Sequence, residues 1–340
     1  MLFPATIAGS LPKPGWLAET EKLWPKWKLE GEALAQAQRD AALVWIKHQE
    51  DAGISVVSDG EQFRRHFVHG FLESVEGIDW QLMTKMGIRN NRYEAEVPTV
   101  TGPVRRSRSV HREEARFCRA HARGGLKFTL PGPMTICDTL ADAHYGRRAD
   151  MAMAFAEILN EEALELEAAG VDVIQFDEPA FNVFMDEVNE WGVAALERAA
   201  RGLKCATAVH ICYGYGIKAN IDWKGTLGAE WRQYERIFPA LNASMIGQVS
   251  LECANSHVPM SLIGLLSDKQ ILVGAIDVAT DHVETPEEVA AVIAEALKHA
   301  DAGRIQPCTN CGLAPRSRAV AEAKLKALGA GAKLARERWG

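Results

Sequence analysis

The residues with most chemistry to offer are His210 and Cys212, inside the run AVHICYGYG at 208–216. On a β-strand, positions i and i+2 point to the same side, so an imidazole nitrogen and a thiolate sulfur would project into one space. That pair suits zinc, which takes nitrogen and sulfur ligands at roughly 2.0–2.3 Å in a tetrahedral shell. A lone His-x-Cys is weak evidence for a metal, and it gains weight only from partners elsewhere in the chain.

Such partners recur at the ends of short apolar runs. Ser10 lies in TIAGSL (6–11), Asp59 and Glu61 end ISVVSDGE (54–61), and Asp177 and Glu178 lie in VDVIQFDEP (171–179). Glu252 ends MIGQVSLE (245–252), Asp277 ends ILVGAID (271–277), and Cys308 and Cys311 lie in RIQPCTNCG (304–312). With LKFTLPGP (126–133) and CATAVHICYG (205–214) these runs predict eight strands. Their near-continuous apolar character suits a parallel sheet covered on both faces.

Helical patterns lie between them. Residues 32–52 carry apolar side chains at helical spacing, 150–169 stop at Gly170, and Thr285-Pro286 with Glu288 opens a helix with a capping box. Strand then helix, repeated about eight times, predicts an α/β fold of the (β/α)8 TIM-barrel type. Residues 72–125 are too long for one crossover, which predicts an insertion after strand 2, an excursion over the barrel mouth. No linker or repeat divides the chain, so 1–340 reads as one domain.

In such a barrel the polar strand ends meet at one mouth. Core packing gives no reason to end so many strands this way. His210, Cys212, Glu252 and one cysteine of CTNC would make four zinc ligands, the usual number. Cys308 and Cys311 alone could be a redox pair or half of a structural zinc site, but no second Cys-x-x-Cys exists. Cys118, Cys137, Cys205 and Cys253 read as small buried hydrophobes. His66, His69, His111, His121 and His144 read as surface or lid residues. Asp277 could simply cap a turn, and Gly214 and Gly216 do not form a phosphate loop.

The composition narrows the partners. The chain has 340 residues, 47% hydrophobic and 24% charged, with a net charge of −7. An acidic chain of this kind does not suit nucleic-acid binding by phosphate neutralisation, and no apolar run is long enough to span a membrane. Seven cysteines without a framework pattern, and no secretory start, predict a cytoplasmic protein.

Taken in order, TIAGSLPKP, VVSDGE, LPGPMTI, VIQFDEPA, HICYG, SLE, GAIDV…ETPEEV and NCGLAPR resemble the catalytic C-terminal barrel of cobalamin-independent methionine synthase, over nearly the whole chain. The resemblance implies zinc held by His210, Cys212, Glu252 and Cys311, the last because it occupies the Cys-Gly-Leu position. It further implies homocysteine as substrate, with Ser10, Glu61 and Asp177 holding the amino acid's polar end and ammonium group. The expected activity is methyl transfer to the homocysteine thiol.

Three departures bear on the methyl donor. The second, N-terminal barrel of full-length family members has no counterpart in this chain. The family's folate-stacking tryptophan is replaced by Thr139, in TICDTLAD. The histidine expected two residues after Asp277 is Ala279, with His282 three residues further on, so Asp277 and His282 are the remaining candidates for the catalytic acid. These changes favour a donor other than methyltetrahydrofolate, such as a methylated corrinoid carried by a partner protein. The alternative is a zinc-dependent lyase or transferase acting on another thiol, such as a thiol cofactor.

Overall fold

The computed structural model describes residues 1–20 and 25–340. Ten strands are present among them: β1 (Val56–Ser58), β2 (Val75–Ile88), β3 (Tyr93–Arg106), β4 (Gly125–Pro131), β5 (Ala141–Asp142), β6 (Val173–Asp177), β7 (Ala206–His210), β8 (Gln248–Glu252), β9 (Gln270–Ile276) and β10 (Ile305–Thr309). Seven of them form one parallel sheet in the order β1-β4-β6-β7-β8-β9-β10. The sheet is TIM-barrel-like, with helices packed outside it. The main apolar core lies between sheet and helices, and a second, small cluster of Ala8, Val173, Ala208, Leu272 and Cys308 joins side chains from separate strands.

The expected first strand, 6–11, forms only an isolated parallel bridge, Thr6 with Val56. Its other side bonds to β10, Thr6 N–H to the Pro307 carbonyl at 3.0 Å and Ala8 N–H to Thr309 Oγ1 at 3.0 Å. The segment thus touches both edge strands of the sheet. One hydroxyl replaces a backbone acceptor, so the regular ladder is not met.

Register aligns the functional strand ends. Pro131 pairs with Asp177, Asp177 with His210, and Glu252 with Gly274. Helices follow the sequence signals closely. Gly31–Asp51 and Arg148–Ala168 span 21 residues each, and Gly170 takes a φ of 94° just past the second, a left-handed geometry that glycine adopts at no steric cost. Pro286–Ala296 begins with the predicted capping box, Thr285 and Glu288 each bonding the other's backbone N–H.

Between β1 and β4 the chain departs from strand–helix alternation. β2 and β3, 14 residues each, form an antiparallel hairpin to which β5 adds a short parallel strand. Its turn places Arg89, Asn90 and Asn91 at φ between 54° and 60°. Asparagine tolerates that region better than most residues, which is how N-N serves a tight turn here. Two register shifts interrupt the pairing of β2 with β3.

Candidate metal centre and adjoining cavity

β7 delivers His210 at its last residue, and Cys212 follows two residues on. The loop after β10 delivers Cys311. One ligand atom from each lies within 4.8 Å of the others, a spacing that can hold a metal ion. His210 Nδ1 pairs with Ser250 Oγ at 2.8 Å, while its buried Nε2 has no hydrogen-bond partner among the described residues. A neutral imidazole oriented through one nitrogen and bare at the other is how a metal-binding histidine is held.

The two thiols shift in opposite directions. A hydrogen bond from Cys311 holds Cys212 well below the usual thiol range, and the same bond pushes Cys311 well above it. Burial opposes charge on His210, but the adjacent Cys212 and the charge of Asp177 leave its pKa raised. This is what a set of soft donors with too few positive charges should do. The donor set therefore fits a borderline cation such as zinc.

Glu252, expected as a fourth ligand, stands apart from that group. It is fully buried, one oxygen accepting the Tyr213 N–H at 2.7 Å and the other the Tyr215 hydroxyl at 2.7 Å. Lys224 Nζ lies 4.0 Å from the second oxygen. Burial raises the Glu252 carboxyl to about 7.

Ser10, Glu61 and Asp177 line the same cavity of about 160 Å³ as His210, Cys212 and Cys311. Glu61 has a φ of 60°, an uncommon conformation for a glutamate, held by Asp59 Oδ1 on its N–H and by Lys13 Nζ on its carbonyl. Its Oε1 accepts from Thr129 Oγ1 at 3.2 Å. Gly9 makes this possible, since a Cβ there would sit 3.0 Å from Glu61 Oε1. Ser10 is seated on Gly312, where a Cβ would come within 2.0 Å of the serine hydroxyl.

Asp177 has its carboxyl raised to about 7 by burial, with the nearby charge of Glu61 adding to the effect. Gln175 Nε2 donates to Asp177 Oδ1 at 2.7 Å, and buried Lys127 donates to Gln175 Oε1 at 3.0 Å. Sequence reasoning missed Gln175 and Ser250. The signal was period two: each stands two residues before an expected site residue, on the same strand face.

The two candidate acids lie elsewhere. Asp277 is buried, but its oxygens accept from Ala279 N–H, Asn255 and Thr280, as a turn cap would. His282 does not line the cavity. Its ring meets Glu288 at 3.4 Å with more than half of each side chain exposed, because the capping box draws this segment onto the helix that follows. His282 therefore stands apart from the cavity-lining residues. Cys308 belongs to the apolar cluster and not to the ligand group that includes Cys311.

Residues without a sequence signal complete the wall. Arg89, Arg92 and Tyr93 reach it from the β2–β3 turn, Tyr215 and Ile217 from the loop after β7, and Asn220 from the helix Lys218–Lys224.

A sequence model of the family described as "Cobalamin-independent synthase, Catalytic domain" matches residues 3–334. A methionine synthase of Saccharolobus islandicus is 30% identical, covering 99% of this chain and 96% of that protein. The solved B12-independent methionine synthase from Shewanella sp. W3-18-1, in complex with selenomethionine, is 59% identical with a TM-score of 0.97, covering 99% of both chains. A solved Listeria monocytogenes protein, described as a putative vitamin-B12-independent methionine synthase, shares the fold at 18% identity and a TM-score of 0.71, covering 100% of this chain and 98% of that one.

Proposed function

This chain belongs to the cobalamin-independent methionine synthase family and is a methyltransferase, and on that premise we propose that it methylates the thiol of homocysteine to give methionine. The observation that carries the reading is one cavity lined by His210, Cys212 and Cys311 together with Ser10, Glu61 and Asp177. The first three are soft metal donors; the second three suit the polar end of an amino acid. Selenomethionine in the Shewanella relative is a product analogue of the same class.

His210, Cys212 and Cys311 would hold zinc, with Glu252 as the fourth ligand once it leaves Tyr215. Zinc held there supplies the positive charge that keeps a substrate thiol deprotonated at neutral pH. The chain's own residues do the rest. Ser250 fixes the His210 ring so that Nε2 stays available. Asp177 and Glu61 offer carboxylates to the substrate ammonium, which requires such partners when withdrawn from water. Ionised Asp177 thereby anchors the amino acid with its sulfur toward the two cysteines. The substrate sulfur forms the new bond to the methyl carbon, and the electron pair of the bond that breaks leaves with the donor.

The donor is read as something other than methyltetrahydrofolate, for example a methylated corrinoid on a partner protein. A poor leaving group needs an acid, and neither Asp277, tied into its turn, nor solvent-facing His282 is free to act as one. Thr139, in the place of the stacking tryptophan, bonds only backbone carbonyls. The lyase or transferase acting on a thiol cofactor is not favoured, because Glu61 and Asp177 suit an amino acid's ammonium. The architecture is read as a single-domain (β/α)8 barrel over 1–340, closed by residues 5–8, with the β2–β3 hairpin inserted between strands.

The test is turnover of purified protein with homocysteine and, in turn, methylcobalamin and methyltetrahydrofolate. Methionine should form with the corrinoid and cease after zinc is chelated. Efficient use of methyltetrahydrofolate would overturn the donor assignment, and turnover surviving chelation would overturn the metal reading.

A further inference from the structure

The cavity wall contains a cation that the reading above does not use. Arg92, at the end of the β2–β3 turn, reaches across to the short helix Lys218–Lys224 that follows β7. Its guanidinium lies over the Trp223 ring, 3.4 Å from the centroid, and its Nη1 donates to Asn220 Oδ1 at 2.9 Å. Gly214, with φ of 86°, makes room for this arrangement, since a Cβ there would come within 2.6 Å of the Asn220 amide. Ring and amide fix the plane of the guanidinium and occupy one of its corners.

The opposite edge is unused. Nε and Nη2 are both buried and have no hydrogen-bond partner among the described residues. A buried charged donor left without an acceptor is destabilising, so a protein keeps two of them on one edge only for a partner that comes later. Nε and Nη2 together are one of the two bidentate forks of a guanidinium, matched to a pair of oxyanion oxygens. Burial already lowers the Arg92 pKa to about 10, and an anion would reverse that penalty.

The neighbouring cations are not equivalent. Arg89 is paired with Asp138 through both its guanidinium and its backbone N–H, and Lys13 donates to the Glu61 carbonyl. The acidic groups of the cavity, Glu61 and Asp177, are those assigned to the substrate ammonium. Arg92 lines the cavity beside its chain neighbour Tyr93 and its partner Asn220.

We propose that Arg92 is a binding residue for the methyl donor, its Nε and Nη2 edge receiving a carboxylate or phosphate oxyanion of that molecule. The inference rests on the reading of the Ser10, Glu61 and Asp177 part of the cavity as the amino-acid site, which leaves the Arg92 part for the second substrate. Two sources of the oxyanion are open to test: the nucleotide-loop phosphate of a corrinoid and the glutamate carboxylates of a folate.

The experiment measures binding directly, by quenching of tryptophan fluorescence in the zinc-loaded full chain, with methylcobalamin, methylcobinamide (which lacks the phosphate) and methyltetrahydrofolate as probes. The proposal expects Arg92→Gln to weaken binding of the phosphate- or carboxylate-bearing probe by about ten-fold or more, as loss of a charge-assisted bidentate pair should. Arg92→Lys, which keeps the charge without the fork, should recover only part of it. Methylcobinamide should bind wild type and Arg92→Gln alike, and a preference for methylcobalamin over methyltetrahydrofolate identifies phosphate as the oxyanion. Asn220→Ala, which frees the guanidinium without removing it, should weaken the same probe by a smaller factor. The KM for homocysteine should stay within about two-fold of wild type, because a uniform loss would mark a merely structural residue. Equal donor affinity in wild type and Arg92→Gln, no binding of any probe to wild type, or a loss falling on homocysteine alone would overturn the proposal. Turnover with homocysteine would survive the first of these results, so the proposed activity and this inference fail separately.

Discussion

Two thiols and one imidazole carry the chemistry. Their interaction holds the Cys212 thiol well below the usual range and Cys311 well above it, as close soft donors should. Cys212→Ser and Cys311→Ser should each lower the zinc content of purified protein from about one ion per chain to a small fraction of that, measured by elemental analysis. Asp177 predicts a pH dependence. Its carboxyl is raised to about 7 by burial, so it is largely protonated below that pH and ionised above it. Affinity for homocysteine should therefore rise as pH increases from 6 to 8, and Asp177→Asn should flatten the profile; calorimetric titration across that range checks it. Stability runs the other way. Between pH about 4 and 7 the folded state keeps a proton on Asp177 that the unfolded chain has released, so this group's contribution falls as pH rises through that window.

At the scale of elements, the site depends on close approaches that only glycine permits. Gly312 lets Ser10 sit against the loop carrying Cys311, where a Cβ would come within 2.0 Å of the hydroxyl. Gly312→Ala should raise the KM for homocysteine several-fold while leaving zinc content intact, a split read by steady-state kinetics beside metal analysis. The capping box at Thr285 belongs to stability instead. Thr285→Ala removes its acceptor from the Glu288 N–H and should cost about 1 kcal/mol in a urea unfolding experiment, with little effect on turnover. It also frees the segment that holds His282 away from the cavity.

Across the whole molecule, the chain's beginning and end are packed on each other. Arg336 donates to the Phe3 carbonyl at 3.0 Å, and Thr6 bonds to β10. Gly329 of the helix Arg318–Trp339 meets the Ala52 carbonyl, where a Cβ would lie at only 1.6 Å. Gly329→Ala must push that helix off its seat, and it should lower the thermal midpoint by several degrees, the effect of about 1–3 kcal/mol of overpacking. Because the same contact sits behind β1, whose following loop carries Glu61, calorimetry and kinetics on this variant would show whether closure and site are coupled.

The sequence by itself determined the parallel strands, the glycine stop at Gly170, the capping box and the polar strand ends, because period, punctuation and residue chemistry are local properties. It named His210 and Cys212 by spacing and Cys311 through the family resemblance, and the strands bring them to one cavity with Ser10, Glu61 and Asp177. Only the tertiary structure decided the rest. Tyr213 and Tyr215 engage both oxygens of Glu252, and the β2–β3 turn carries Arg92 to a helix 128 positions away. It also turned His282 to solvent. Those outcomes depend on which long side chain reaches which neighbour once the sheet has curled, and no spacing along the chain encodes that distance.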